Sequence, residues 1–358
     1  MAKKYTFFLG ANSGSGFSSL YDQLRPREDM RDLIVLKGGP GVGKSTFMKH
    51  IGARAEQLDM EVEYIRCSGD PSSLDAVILP EVHAAVADGT APHVIEPVYP
   101  AAVDRYVNLG CFYDVDRLKE RRREVVACTE GYRKEYDRAY PCLRACRAVR
   151  QMNEESLNPW VDRTRLRRRL QNIWQRERGR KRRGAAGRER LRFLGGLTPK
   201  GRVACTESIA ALCPKIYELR DPYHLAAPVL EEVRRAILQD GFDLIVCRDP
   251  DAPERIAHLL APEAGVALVT TGLTLSLPQK PWRRVHITEL ADREVLTQLR
   301  GGLRLKERLA AALEEEGAEH LRLAGEKHDE LELIYHPFVD FDGVLAAAES
   351  ESRRILAS

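Results

Sequence analysis

No run in this chain approaches the 18 or so consecutive apolar residues that a membrane span needs. The opening "MAKKYTFFLGANSG" holds too short an apolar stretch for a signal peptide. The eight cysteines (67, 111, 128, 142, 146, 205, 213 and 247) include no CxxC pair and no ligand-like histidine spacing. A disulfide framework is therefore not expected, and the thiols read as reduced residues of a cytoplasmic protein that does not enter a membrane. Cys142 and Cys146, four apart on an expected helix, suit buried packing, with a metal or redox pair as the alternative.

What is present is a chain of 358 residues, long enough for two domains, with 30% charged and 44% apolar residues. Its net charge of +3 is unevenly spread. Residues 163–192 hold fourteen Lys or Arg against two Glu, a local +12 that leaves −9 on the remainder. Within that run Leu166, Leu170, Ile173 and Trp174 are spaced for one apolar helical face, while "GRKRRGAAGRER" reads as an exposed linker. Clustered cations release counterions from nucleic acid or an anionic surface. Apart from Trp174 on the apolar face, no aromatic residues interleave there as stacking platforms, so a solvated or internally paired basic face is the competing reading.

The sharpest motif is "GGPGVGKST", residues 38–46, which fits G-x-x-x-x-G-K-[ST] between a buried-strand pattern and a helical one. Gly38, Gly41 and Gly43 permit backbone angles and close approach that a Cβ would forbid. The loop Gly38, Gly39, Pro40, Gly41, Val42 and Gly43 can then wrap a phosphate, with the N–H groups of all but Pro40 and of the following helix turned toward it. Lys44 is expected on the β- and γ-phosphates of ATP, the Ser45 hydroxyl on Mg²⁺, and Thr46 near the α-phosphate. "HAAVADGT" supplies a strand ending in Asp88, the expected second Mg²⁺ partner, with a simple Asp-Gly turn as the alternative. Asp88 precedes glycine, so no catalytic base is assigned. Asp70, Asp75, His93 and Glu96 fall on expected loops near the same sheet edge. The order strand, helix, strand, strand predicts an α/β protein with a doubly wound parallel sheet.

The pattern recurs. At an offset of 182, residues 33–88 match 215–270 at Ile34, Pro40, Gln57, Arg66, Pro71, Pro80, Glu81 and Ala85. Upstream, Phe8, Leu9, Gly10 and Gly16 correspond to Phe193, Leu194, Gly195 and Gly201. Apolar strands and helix stay in register, yet Gly38, Gly41, Gly43, Lys44 and Ser45 become Arg220, Tyr223, Leu225, Ala226 and Ala227, and Asp88 becomes Thr270. That predicts a second lobe that keeps the fold and loses the site.

Through "FFLGANSGSGF", "LKGGPGVGKSTFMKHI", "CSGDPSSLDAVILPE", "DGTAPHVIEPVYP" and "AGEKHDELELIYHPFVDFD", the chain resembles, over nearly its whole length, a bacterial family frequent among Firmicutes. The resemblance implies two tandem P-loop NTPase halves and ATP use, and here the second P-loop is missing. The expected divisions are a P-loop lobe over 1–115, a helical extension over 116–160 and a basic helix and linker over 161–190. A degenerate lobe over 191–291 and a C-terminal helical extension over 292–358 follow. The two helical stretches are expected as hairpins, one per half; in the second, His328, Glu332 and His336 share a face as metal-ligand candidates. "GANSGSG" is a glycine turn or a further phosphate contact.

The expected activity is slow ATP hydrolysis coupled to a conformational change or partner. The alternatives are a nucleotide or small-molecule kinase, with "CSGDPSSLD" holding the acceptor, and an ATP-dependent nucleic-acid-binding switch. The second lobe is expected to cover the first lobe's nucleotide, with Arg220 or Arg248 facing the γ-phosphate.

Overall fold

A computed structural model describes residues 3–25, 29–92, 94–180 and 184–357, so His93 lies outside the described residues. The first unit runs β1 (Lys4–Phe8), β2 (Gly10–Ser13), β3 (Gly16–Ser19), β4 (Asp32–Lys37), α1 (Lys44–Gln57), β5 (Val62–Arg66), β6 (Leu74–Leu79), β7 (Ala84–Asp88) and β8 (Asp104–Asn108). Helices α2 (Val115–Glu120), α3 (Arg122–Leu157) and α4 (Arg163–Glu177) follow. The second unit runs β9 (Glu189–Phe193), β10 (Gly195–Thr198), β11 (Gly201–Ala204), α5 (Thr206–Leu212), β12 (Lys215–Arg220), α6 (Ala227–Gln239), β13 (Leu244–Arg248), β14 (Ile256–Ala261), β15 (Val266–Thr271) and β16 (Arg283–His286). The chain ends in α7 (Arg293–Tyr335) and α8 (Phe341–Leu356).

The protein is α/β, with one large mixed sheet rather than a separate parallel sheet in each half. Its strand order is β16-β12-β15-β14-β13-β9-β1-β5-β6-β7-β4-β8, the same sequence of strands read outward in both directions from β1 and β9. These two meet antiparallel at Phe8 and Phe193. A second sheet, β11-β10-β2-β3, bridges the units beside that junction. Strand β6 departs from the expected parallel sheet, pairing antiparallel with both β5 and β7. The 67–73 and 80–83 connections contain no crossover helix, and a parallel return would need one.

Strand alternation sorts the cores. Leu33 and Val35 of β4 face a core shared by both units, together with Phe7, Ile216 and Ile245. Ile34 and Leu36 face Phe47, Met48 and Ile51 of α1. With both faces covered, β4 reads as the continuous apolar run "LIVL".

The long helices do not form one hairpin per half. α3 leaves the first unit and α7 leaves the second, and they lie against each other antiparallel. Asn153 donates to the Leu303 carbonyl, Leu143 meets Gly317, and Glu135 takes Lys327 at 2.8 Å. Each thus delivers a terminal helix to the opposite unit. α4 buries Leu166, Leu170, Ile173 and Trp174 in the second unit's core beside α6, as its spacing predicts. α8 buries Val344, Ala348 and Ile355 against α1. The "RERLRF" end of the basic run enters the sheet as β9, and Arg192 is buried against Glu63.

Candidate functional site

The loop between β4 and α1 turns on two glycines held at positive φ, Gly41 at 69° and Gly43 at 93°. Gly43 caps α1 with no side chain accepting from the helix's first turn. The orphan N–H groups there are left for another acceptor. Neighbours press closely on the loop. A Cβ on Gly38 would meet Val42 at 2.8 Å, and one on Gly39 would meet the Tyr113 hydroxyl at 2.9 Å. That hydroxyl donates to the Pro40 carbonyl at 2.9 Å.

Lys44 folds back over this loop, with Nζ donating to the Gly38 and Gly39 carbonyls at 2.8 and 2.9 Å. The same ammonium stands 3.6 Å from Asp88 Oδ2. β7 lies parallel to and directly beside β4, with Asp88 opposite Leu36, so the two strands present Asp88 and the loop at one sheet edge. Asp88 Oδ1 accepts from the Thr90 amide and hydroxyl at 2.8 and 2.6 Å, which fixes the carboxylate while Oδ2 faces Lys44. Ser45 Oγ accepts from the Leu74 amide at 3.0 Å, tying α1 to the start of β6. Thr46, next in α1, is exposed. The sequence-derived set 38–46 and Asp88 therefore converges on one place.

The other loop candidates are engaged elsewhere. Asp75 is buried and accepts from the Tyr21 hydroxyl, and Glu96 is exposed and takes the Tyr106 hydroxyl. Asp70 accepts from Ser72 and Ser73 and from Lys200 at 2.8 Å. Burial there works against ionisation, but Lys200 and the serines outweigh it and hold the carboxyl well below the usual range. Lys200, in the β10–β11 turn, reaches this loop from the second unit and also donates to Ser72 Oγ at 2.9 Å. The "GANSGSG" turn does the converse, packing Gly14 on Arg147 of α3 beside the second unit. His328 packs edge-on against Tyr132 and His336 lies tilted against Phe341, and among the described residues no group of three or more potential metal ligands is gathered.

Sheet order separates Arg220 and Arg248 from this site. β12 lies nine strands from β4 and β13 six, roughly 43 and 29 Å at the usual strand spacing. Arg220 faces Glu218 and is half-exposed, while Arg248 donates to the Glu254 carbonyl. Neither reaches the loop in cis, because the units join through β1 and β9 and leave β4 and β12 near opposite ends of the sheet.

The second unit's corresponding loop has its own chemistry, which the sequence comparison registered only as loss. Asp221, at the position of Gly39, is buried and accepts from the Leu225 and Ala226 amides at 3.0 and 2.7 Å. A carboxylate of the chain itself thus occupies the helix N-terminus. At the offset of 182, His224, Asp249 and His258 fall opposite Val42, Cys67 and Ala76. The appearance of four polar residues at one sheet edge was the available signal.

Comparison with protein-family models, with curated proteins and with solved structures finds no match for this chain.

Proposed function

We propose that the first unit binds Mg²⁺-ATP at residues 38–46 and hydrolyses it slowly, in step with a movement of the helices that cover the loop. The observation that carries this reading is the meeting of Lys44 and Asp88, 3.6 Å apart at the carboxyl ends of neighbouring parallel strands. They stand beside a left-handed glycine loop and an uncapped helix N-terminus. The donor set fits a polyphosphate. Lys44 exchanges two loop carbonyls for phosphate oxygens, and the amides of the first turn of α1 gain an anionic acceptor. Ser45 and Asp88 would hold Mg²⁺, which supplies charge neutralisation when bound.

The cover supports coupling. The Glu332 carbonyl near the end of α7 lies 3.2 Å from where a Cβ on Gly41 would stand, and Val344 of α8 lies 3.3 Å from that on Gly43. A ligand that reshapes the loop therefore moves against a helix of 43 residues, about 65 Å long, whose other end packs in the second unit. The recurrence of element bounds at an offset of 182, from β12 through β15, supports a duplicated P-loop unit whose second copy lost its phosphate residues. That agrees with the tandem P-loop family the sequence resembles.

Lys44→Ala tests the reading. Two charge-assisted phosphate contacts are lost, each worth about 1.5–3 kcal/mol, so ATP affinity should fall at least about tenfold and turnover should vanish while the fold remains. Unchanged affinity in calorimetry would overturn the assignment.

A second reading rests on α4, whose outward Arg165, Arg168 and Arg169 are exposed and carry no ion pair among the described residues. This face suits a nucleic-acid backbone. Filter binding should then weaken steeply with salt, and replacing the three arginines by serine should flatten that slope. No retention of RNA or DNA at low salt would leave α4 as a solvated face.

A further inference from the structure

The second unit, having no phosphate loop, is not filled in. Between the loops that follow β12, β13 and β15 lies a cavity of about 230 Å³. It sits where open α/β sheets bind ligands, beyond the carboxyl ends of the strands. A site that merely decayed is expected to close with apolar side chains, as tight interiors do. Here the wall gains Asp221, His224, Asp249 and His258 in place of Gly39, Val42, Cys67 and Ala76 of the first unit.

Counted together with the ion-pair partners of its wall, this region holds more acids than bases. Arg147, Arg150, Arg202 and Arg255 surround this cavity and a smaller one beside it. Each has a glutamate partner: Glu254 at 2.5 Å, Glu307 at 3.2 Å, Glu314 at 2.5 Å and Glu154 at 2.8 Å respectively. The carboxyl groups of Asp221, Asp249 and Asp251 come in addition to these pairs, with Asp251 shared between Arg150 and Arg202. Asp249 Oδ1 accepts from the Asp251 amide at 3.0 Å, and its Oδ2 meets the His224 imidazole, whose Nδ1 lies 3.3 Å away. His224 sits at φ 57°, a left-handed backbone that non-glycine residues rarely adopt and that concentrates at functional sites. His258 accepts the Thr270 amide at Nδ1, and burial pushes its imidazole down to about 3, so it remains a neutral donor. Burial likewise raises the Asp221 and Asp249 carboxyls, the condition that a bound cation relieves.

We infer that this cavity is a second ligand site, independent of the phosphate loop, and that it takes a small organic cation, an amine, whose charged end displaces His224 from Asp249. Phosphate is excluded because Asp221 already occupies the α6 amides. A bare metal ion is disfavoured by the same consumption of Asp221 and by the wall of Leu194, Val203, Leu273 and Leu275, which calls for carbon.

The test uses the full chain carrying Lys44→Ala, so that nucleotide at the first unit plays no part. Titration with 1,4-diaminobutane should show saturable binding, and with 1,4-butanediol, its uncharged counterpart, none. Asp249→Asn should lower diamine affinity about tenfold or more, the loss expected of a charge-assisted contact, with unchanged near-ultraviolet dichroism. His224→Gly relieves the left-handed strain and removes the side chain that competes for Asp249 Oδ2, so it should keep the fold and tighten the diamine. Equal binding of the diol, no saturable binding of the diamine, binding of inorganic phosphate instead, or loss of diamine binding in His224→Gly would each overturn the proposal.

Discussion

At Gly43 the backbone holds φ 93° while Val344 and Phe341 close over it from α8. Alanine there meets both a backbone region costing about 1–2 kcal/mol for an L-residue and a contact at 3.3 Å. Gly43→Ala is therefore expected to lower stability by about 1–2 kcal/mol and to weaken ATP, read by denaturant unfolding and calorimetry. Wild-type behaviour in both would show that the loop relaxes without glycine. Asp221 illustrates the opposite solution at the related position, since a side chain can fill a helix N-terminus permanently only where no anion has to come and go. "KIYELRDPYHL" looks blank by comparison with the first loop, and its content emerges only when the Asp221 carboxylate is seen on its own amides.

Among the elements, α8 is held from several directions. Asp340 caps it by accepting from the Gly343 amide at 3.0 Å. Glu349 takes His50 of α1 at 2.8 Å, and Arg354 pairs with Asp32 at the start of β4. Asp340→Ala should cost about 1 kcal/mol, seen as a lowered melting temperature. If α8 reports on the loop, bound ATP should recover part of that loss; an equal loss with and without ATP would separate the cap from the site. The helical spacing of α4 was plain in "RTRLRRRLQNIW", but its partner was not. Periodicity gives a face, and which surface covers that face depends on where a long helix ends. The antiparallel β6 follows the same logic in reverse, because the short loops that dictate it are visible in the sequence.

For the whole molecule, the two units are fastened by buried ion pairs. Arg192 of β9 grips Glu63 of β5 through two hydrogen bonds, at 2.5 and 3.0 Å, across the first unit's β1. Burial alone would raise the Glu63 carboxyl, yet Arg192, aided by Arg190, holds it below the ordinary range. On the helix pair, Glu314 opposes its own burial through Arg202 and Arg150 and is brought down to about 2, and Lys327 and His320 bring Glu135 to about 2. A carboxylate lowered by folding stabilises the native state fully above its ordinary value near 4.5 and less as pH falls through its folded value. Stability should therefore be level above about pH 5 in this respect and decline from there toward about pH 2. Glu135→Gln and Glu314→Gln should each flatten part of that decline in acid melts; an unchanged slope in both would deny these pairs their role.

The amino-acid sequence by itself determined the local matters: the strand before a glycine loop, the helix after it and Asp88 at a strand end. Each depends on neighbours in the chain, on spacing and on what a glycine permits, and each is readable in a line. Only the tertiary structure decided that both units share one sheet and that α3 and α7 exchange their terminal helices. It also set Arg220 and Arg248 far from the loop, and gathered Asp221, His224, Asp249 and His258 around a cavity. These depend on which strands become neighbours and on where helices of 36 and 43 residues arrive. The contacts that join the units and pair α3 with α7 link residues more than a hundred positions apart, and no local pattern encodes them.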